Sequence, residues 1–338
     1  MVLRMRIIVG AAALVWLTRA WGAPPVGLEW SAGFPLPPQE DGRAANGTTG
    51  VPVAGEHEGV VLLARGSDNP ASPLSKGGDK EACADIYALP LGLTNWVRAG
   101  TLSRPLTDGM SAATPRGIVC IAGRADGRNQ SRVLLLAWDA TRALAVETAL
   151  PDLPCSVRRG AAAAWDNRVY VAGGESADNL AGDVWTLDLD APQSGWAPLP
   201  PLPGPKGRSE AVAFVQNGDQ KRKYLYVIGG YLRRADGGRV ALTDGYAYDL
   251  AQPAGAGVWR AIAPAMPTAD GPSAPPAAAW PLISARCVTS GDQHALFFSG
   301  LNAEAPVSPE RIRGNRNVLA YHTVTDRWFV LGEVPFSS

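Results

Sequence analysis

The chain has 338 residues, including 38 glycines and 29 prolines, and its 31 basic side chains are balanced by 31 acidic ones. That balance excludes the strong positive field with which proteins gather nucleic acid or anionic lipid. Abundant glycine and proline, with no long stretch of helical periodicity, exclude a helical bundle and fit short strands joined by turns.

Residues 1–23 read as an export leader. Arg4 and Arg6 precede an apolar run, Ile7–Leu17, which is followed by the small residues of Ala20-Trp21-Gly22-Ala23. The run is short for a membrane span and suits a leader core, with cleavage after Gly22 or Ala23. A buried first strand or a membrane anchor is the alternative. The mature protein, residues 24–338, is then expected in the periplasm or outside the cell, slightly acidic and off the membrane. Residues 28–38 (LEWSAGFPLPP) next read as a strand that stops where prolines remove ladder donors.

Five units follow, at about 46–102, 105–153, 155–203, 206–267 and 281–335. The third is the most legible. Val157–Trp165 is a small-residue strand, Asp166-Asn167 a two-residue turn, and Arg168–Gly174 an apolar strand ending in paired glycines. Asp183–Leu189 alternates apolar and polar residues, and Trp196 opens a fourth strand, WAPLPPLP. Four short antiparallel strands in such a unit make one blade of a β-propeller. The second strand recurs at Val61–Gly66, Ile118–Gly123, Leu225–Gly230 and Ala295–Gly300, and fourth-strand tryptophans recur at Trp96, Trp196, Trp259 and Trp328. A period near fifty, with Gly-Gly and a later Tyr/Trp pair, is the kelch pattern.

The fold class is therefore all-β, a kelch-type β-propeller on a six-bladed plan with five complete blades. Residues 28–38 match the fourth strands and are expected to be an orphan closing strand of the sixth. The other three strands of that blade are expected to be missing after Ser338. Polar loops at 67–81 and 301–316 and an alanine- and proline-rich linker at 263–281 interrupt the units.

Four scattered cysteines (Cys83, Cys120, Cys155, Cys287) lack CxxC spacing and read either as one or two disulfides or as small strand residues. His57, His294 and His322 share no metal-ligand spacing, so no metal is expected. The repeating tryptophans read as packing between blades, while Trp280, out of register, is the one considered for ligand contact. Gly-rich GGDK at 77–80 and ADGG at 235–238 neither follow a strand nor open a helix, so they are not phosphate cradles. Asn46 and Asn129 head glycosylation-type triplets.

The ending NVLAYHTVTDRWFVLGEVP, where a YHTVTDRW strand pair precedes Gly-Glu-Val-Pro, resembles the cyclically permuted mutarotase group, related to the exported N-acetylneuraminate epimerases. The leader, the repeats and the fourth strand placed first carry the same likeness. What it implies is interconversion of sialic-acid anomers by acid/base ring opening, with no cofactor and with a small sugar acid as partner. A carboxylate serves as acid/base, and an arginine fork suits the sugar carboxylate.

In that family the glutamate lies in a Gly-Glu segment followed by Pro-Gly and Arg-Thr, and no GE-x-PG-x-RT segment is found here. The nearest match is Gly174-Glu175, with Asn179 and Leu180 in place of Pro-Gly, Ala181 in place of the arginine, and Asp183 opening the next strand. Glu175 is thus the catalytic candidate, and a solvated glutamate after a turn is the other reading. Arg159 and Arg208 sit near the starts of first strands, with Glu210 two residues after Arg208 and so expected on the same strand face. Arg286 is taken as the corresponding residue of the fifth unit. Arg159, Arg208, Glu210 and Arg286 are the substrate-binding candidates, or else ion pairs bracing neighbouring blades. The alternative function is a non-catalytic propeller that binds a glycan or a protein through its loops.

Overall fold

In a computed structural model the described residues are 6–9, 13–16, 28–38, 53–64, 66–68, 81–176, 184–234, 236, 238–252, 257–266, 279–301 and 316–335. Asn46, Asn179, Leu180, Ala181, Asp183 and the middles of the loops at 67–81 and 301–316 and of the linker lie outside them.

Five four-stranded antiparallel sheets follow one another along the chain as propeller blades. The first pairs Val53–His57, Val60–Ala64, Asp85–Pro90 and Val97–Thr101. The second pairs Met110–Thr114, Gly117–Ala125, Arg128–Asp139 and Leu144–Leu150, and the third Ala161–Trp165, Arg168–Ala172, Val184–Asp188 and Ala197–Leu199. The fourth pairs Val212–Asn217, Lys223–Ile228, Gly245–Asp249 and Trp259–Ile262, and the fifth Arg286–Ser290, His294–Phe298, Asn317–His322 and Arg327–Glu333. Second strands such as Lys223–Ile228 are buried almost throughout, whereas the last strand of the fifth blade is mostly exposed. An unbroken apolar run is what a strand covered on both faces requires.

Contacts divide the chain into two compact units. Met1–Arg158 with Asp190–Gln193 holds the first two blades, and Arg159–Leu189 with Ser194–Ser338 holds the other three. The first unit has a core of Leu62, Ile86, Ile118, Leu134 and Leu136. In the second unit, one core gathers Tyr170, Val184, Leu225, Val227 and Trp259 between the third and fourth blades. Another gathers Phe214, Tyr226, Phe297, Leu319, Tyr321 and Trp328 between the fourth and fifth. Phe214 stacks on Tyr226 with ring centroids 4.8 Å apart.

The paired glycines fasten one blade to the next. Gly173 and Gly174 have φ of 66° and 103°, and Gly174 N–H donates to Arg208 O at 2.7 Å. In the next blade Gly230 N–H donates to Pro281 O at 2.9 Å. A Cβ on Gly173 would stand 2.4 Å from Arg208 O, and one on Gly229 2.0 Å from Pro281 O. Both the left-handed backbone and this close approach exclude a side chain. The tryptophans of the fourth strands act similarly. Trp259 Nε1 donates to Pro200 O at 2.8 Å and Trp328 Nε1 to Ala263 O at 2.9 Å, each reaching the preceding blade.

The YHTVTDRW stretch is a hairpin that works as a clamp. Tyr321 hydroxyl donates to Asp326 Oδ1 at 2.6 Å, and the same carboxylate accepts Ala263 N–H at 2.9 Å. Thr325 N–H donates to His322 Nδ1 at 3.1 Å. Trp280 packs against the core between the last two blades, so its bulk is used in packing rather than offered to a ligand. His57 Nδ1 accepts the Trp138 amide N–H at 3.0 Å. Cys120 and Cys287 are free thiols, and burial pushes both above the usual thiol range. No disulfide therefore joins these two.

One expectation is corrected at the N-terminus. Glu29–Ala32 does not stand without partners: it pairs antiparallel with Ala13–Trp16, which pairs with Arg6–Val9 in a three-stranded sheet. The apolar run read as a leader core is also rich in strand-forming residues (RIIV, ALVW), and length alone does not separate the two.

Candidate functional site

The second unit brings three of the candidate residues together. Four left-handed residues mark equivalent positions two residues before the first strand of successive blades: Asp108, Arg159, Glu210 and Ser284, with φ between 53° and 55°. Within the second unit, Glu210 N–H donates to Arg159 O at 2.7 Å and Ser284 N–H to Glu210 O at 2.9 Å. The backbone thus sets Arg159, Glu210 and Ser284 side by side. Their side chains meet as well: Arg159 Nε lies 3.6 Å from Glu210 Oε1, and Ser284 hydroxyl donates to Glu210 Oε2. Non-glycine residues in this conformation carry strain that surrounding contacts must offset, and such strain gathers at functional sites.

A second tier comes from the residues that follow the glycine pairs. Glu175 follows Gly173-Gly174, and Tyr231 follows Gly229-Gly230. Tyr231 hydroxyl donates to Glu175 Oε1 at 2.8 Å and accepts from Arg159 Nη1 at 3.2 Å. Arg159 Nη1 also lies 3.8 Å from Glu175 Oε1, and Arg233 Nη1 lies 3.9 Å from Glu175 Oε2. The Glu175 side chain is only 12% exposed, so it is not a solvated loop glutamate. Burial, reinforced by the charge of Glu210, pushes the Tyr231 phenol up to about 12, so it keeps its proton at neutral pH. The result is a half-buried carboxylate held by a permanent hydroxyl donor and two guanidinium groups, beside a second carboxylate. Such an arrangement can bind a polyhydroxylated ligand and move a proton at Glu175.

Arg208 belongs elsewhere. Its guanidinium, 1% exposed, donates from Nη1 to Asp244 Oδ1 at 2.9 Å and from Nη2 to Asp244 Oδ2 at 2.8 Å. Nη1 also donates to Gly229 O at 2.8 Å. Burial alone would raise the Asp244 carboxyl, but the Arg208 fork and the Tyr246 hydroxyl, at 2.8 Å, hold it below the usual range. The expected common face of Arg208 and Glu210 does not form. Both precede the strand, and the left-handed turn at Glu210 breaks the two-residue alternation that the expectation assumed.

Arg286 likewise is not the counterpart of Arg159. Ser284 holds that position, and Arg286 opens the strand two residues later, opposite Phe298. It retains solvent access yet is closely surrounded by protein, and the lost hydration holds its guanidinium below the usual arginine value. It makes no ion pair among the described residues.

Tyr231, Ser284, Asp244, Arg233 and Arg239 escaped sequence reasoning. For Tyr231 a signal existed: aligning the two Gly-Gly pairs places it level with Glu175. For Ser284 the signal was the spacing to the following strand. Asp244 carries no local mark.

No family model matches the chain. The chain is similar to the N-acetylneuraminate epimerase of Yersinia enterocolitica serotype O:8, at 28% identity over 207 residues, covering 55% of this chain and 48% of that one. It is 25% identical over 233 residues to the protein of that name from Brucella suis, covering 60% and 53%. With the one from Haemophilus influenzae strain PittEE it shares 32% identity over 99 residues, covering 29% and 24%. The chain thus spans about half or less of the length of these relatives. A solved structure titled "Structure of YjhT" superposes with a TM-score of 0.65 at 12% identity, covering 95% of this chain and 91% of that one, which shows a shared fold.

Proposed function

We propose that the protein is a mutarotase-like enzyme acting on a sugar acid of the sialic-acid class, with Glu175 as its acid/base group. The observation that carries this reading is the Glu175 carboxylate, withdrawn from solvent and held by Tyr231 and two arginines on the face where loops of neighbouring blades meet. The names of the relatives support the same substrate class.

In the reaction, a carboxylate takes the proton of the anomeric hydroxyl while the ring oxygen gains a proton and its bond to the anomeric carbon breaks. The open keto form turns about its carbon–carbon bond and closes on the other face. Glu175 takes the proton from the anomeric hydroxyl and delivers it to the ring oxygen as the ring opens, and closure runs the same transfer backwards, so the cycle leaves the protein unchanged. Tyr231 fixes one carboxylate oxygen, and Arg159 and Glu210 hold the surrounding geometry. No redox change is involved. The kelch repeat and the six-bladed plan belong to this reading, as does export through residues 1–23. Mass spectrometry of protein secreted by a bacterial host would detect cleavage near Ala23, and an intact N-terminus on exported protein would remove that part.

The test of activity is exchange spectroscopy of N-acetylneuraminate anomers with purified protein. A rate above buffer supports turnover, and a rate equal to buffer ends it. A non-catalytic, sugar-binding propeller is the second reading. It is favoured by Ala181, which stands where the family pattern has an arginine. Calorimetric binding without exchange would select it.

A further inference from the structure

The two arginines that the sequence offered near Glu175 for a ligand carboxylate already face protein carboxylates. Arg208 grips Asp244, and Arg159 lies between Glu175 and Glu210. A different pair is better placed. Tyr231–Arg233 and Arg239–Ala241 form a two-stranded ribbon in which Tyr231 faces Ala241 and Arg233 faces Arg239. Alternate residues of a strand share a face, as do directly opposed ones. Tyr231, Arg233 and Arg239 therefore lie on one face of the ribbon. The Arg239 guanidinium sits 4.7 Å from the Tyr231 ring centroid, which agrees with that placement. This is also the face that meets Glu175, through Tyr231 hydroxyl and Arg233 Nη1.

Two like charges set directly opposite across a ribbon destabilise it unless something anionic lies between or beside them. The nearest acid on the ribbon, Asp236, accepts Gly238 N–H at 2.8 Å within the turn. Arg239 makes no ion pair among the described residues, and the Arg233 side chain is 55% exposed. Glu175 lies beside Arg233 at 3.9 Å, so Arg239 is the charge of the pair without an anionic partner among the described residues. Beside a carboxylate that works on an anomeric hydroxyl, the anion that reaches both guanidinium groups is one carried on or next to the anomeric carbon.

We propose that Arg239 together with Arg233 recognises the carboxylate of the sugar and so selects acidic sugars over neutral ones. This rests on the reading of Glu175 given above. The pair are specificity-determining residues; the proton is handled at Glu175, and the arginines fix which carbon is presented to it. A guanidinium matches both oxygens of a carboxylate and stays charged throughout the working pH range.

The probes are N-acetylneuraminate and its carboxyl methyl ester, with affinity read by calorimetry and anomer exchange by NMR. The wild-type protein is expected to bind the acid at least about tenfold tighter than the ester, the scale of one charge-assisted hydrogen bond. The double variant Arg233→Gln and Arg239→Gln is expected to bind acid and ester alike, and the single variant Arg239→Gln, which keeps the Arg233–Glu175 contact, to lose most of the preference. The melting temperature of Arg239→Gln should equal or exceed that of wild type, because the like-charge pair is removed while the Arg233–Glu175 contact is kept. A double variant that keeps the acid preference overturns the proposal while leaving turnover at Glu175 intact. An Arg239→Gln variant that melts well below wild type also overturns it, since that arginine would then be structural. Lost acid preference with no exchange in wild type would uphold the proposal and end the catalytic reading. Binding of neither probe by wild type ends both.

Discussion

Removing the Asp244 carboxylate with Asp244→Ala strands a guanidinium that cannot readily reach water. Arg208 is 1% exposed, and both of its Nη atoms donate to Asp244. Only Gly229 O would remain as an acceptor, and Nε already has no hydrogen-bond partner among the described residues. Breaking a buried pair from one side costs roughly 3–5 kcal/mol, and with Asp244 itself 39% exposed, water entering from that side reduces this to about 2–3 kcal/mol. Urea denaturation at neutral pH, followed by tryptophan fluorescence, measures the loss. Adding Arg208→Met should recover most of it, because the unpaired charge is then gone. The pH dependence has a fixed sign. Asp244 titrates lower in the folded protein than in the unfolded chain, so its contribution is present above the unfolded value and lost as pH falls through the folded one. A loss under about 0.5 kcal/mol for Asp244→Ala, the range of an ordinary surface change, would refute the reasoning. It would return Arg208 to the pool of ligand-binding arginines.

Three further outcomes follow from the fold. Gly229→Ala puts a Cβ 2.0 Å from Pro281 O at φ 67°, and should cost more than about 3 kcal/mol, against about 1 kcal/mol for Gly127→Ala, where φ is 74° and the surrounding space is open. Equal losses in a urea titration would show that strain, not the approach of the next blade, fixes the paired glycines. Trp328→Phe deletes the donor to Ala263 O and should cost about 1–2 kcal/mol; an unchanged midpoint would mean the indole N–H adds nothing. Burial pushes Tyr170, Tyr224 and Tyr231 up to about 12 from 10.0, so the folded chain keeps protons that the unfolded chain has lost. Stability is then full below pH 10 and lost as pH rises towards 12, and tyrosinate absorbance should appear together with unfolding. Free ionisation of these phenols in folded protein would contradict that.

The blades were legible because their cause is local. Second strands are continuous apolar runs, and the glycine pairs ending them cannot be replaced where a Cβ on Gly173 would stand 2.4 Å from Arg208 O of the neighbouring blade. The repeating tryptophans announced themselves by period, and Trp259 and Trp328 indeed tie each blade to the one before. The site was only half legible. Arg159, Glu175 and Glu210 carry a charge beside a recognisable repeat landmark. Tyr231 and Ser284 join them through left-handed turns and backbone bonds between blades, which alternation along a strand does not foresee. The partner of Arg208 was not legible for the same reason: Asp244 is 36 residues away and becomes a neighbour only when the fourth blade pairs. At the N-terminus, one apolar stretch satisfies both a leader and a strand pair, and its length and composition fit either.

The measurement that bears most directly on the account is N-acetylneuraminate anomer exchange by wild type, Glu175→Gln and Tyr231→Phe, with binding measured in parallel. Glu175→Gln should lower the exchange rate at least about a hundredfold while binding persists, because general acid–base catalysis contributes on that scale. Tyr231→Phe should alter the pH dependence of exchange, since it removes the hydroxyl that holds Glu175. Exchange at the wild-type rate in Glu175→Gln would contradict the assignment.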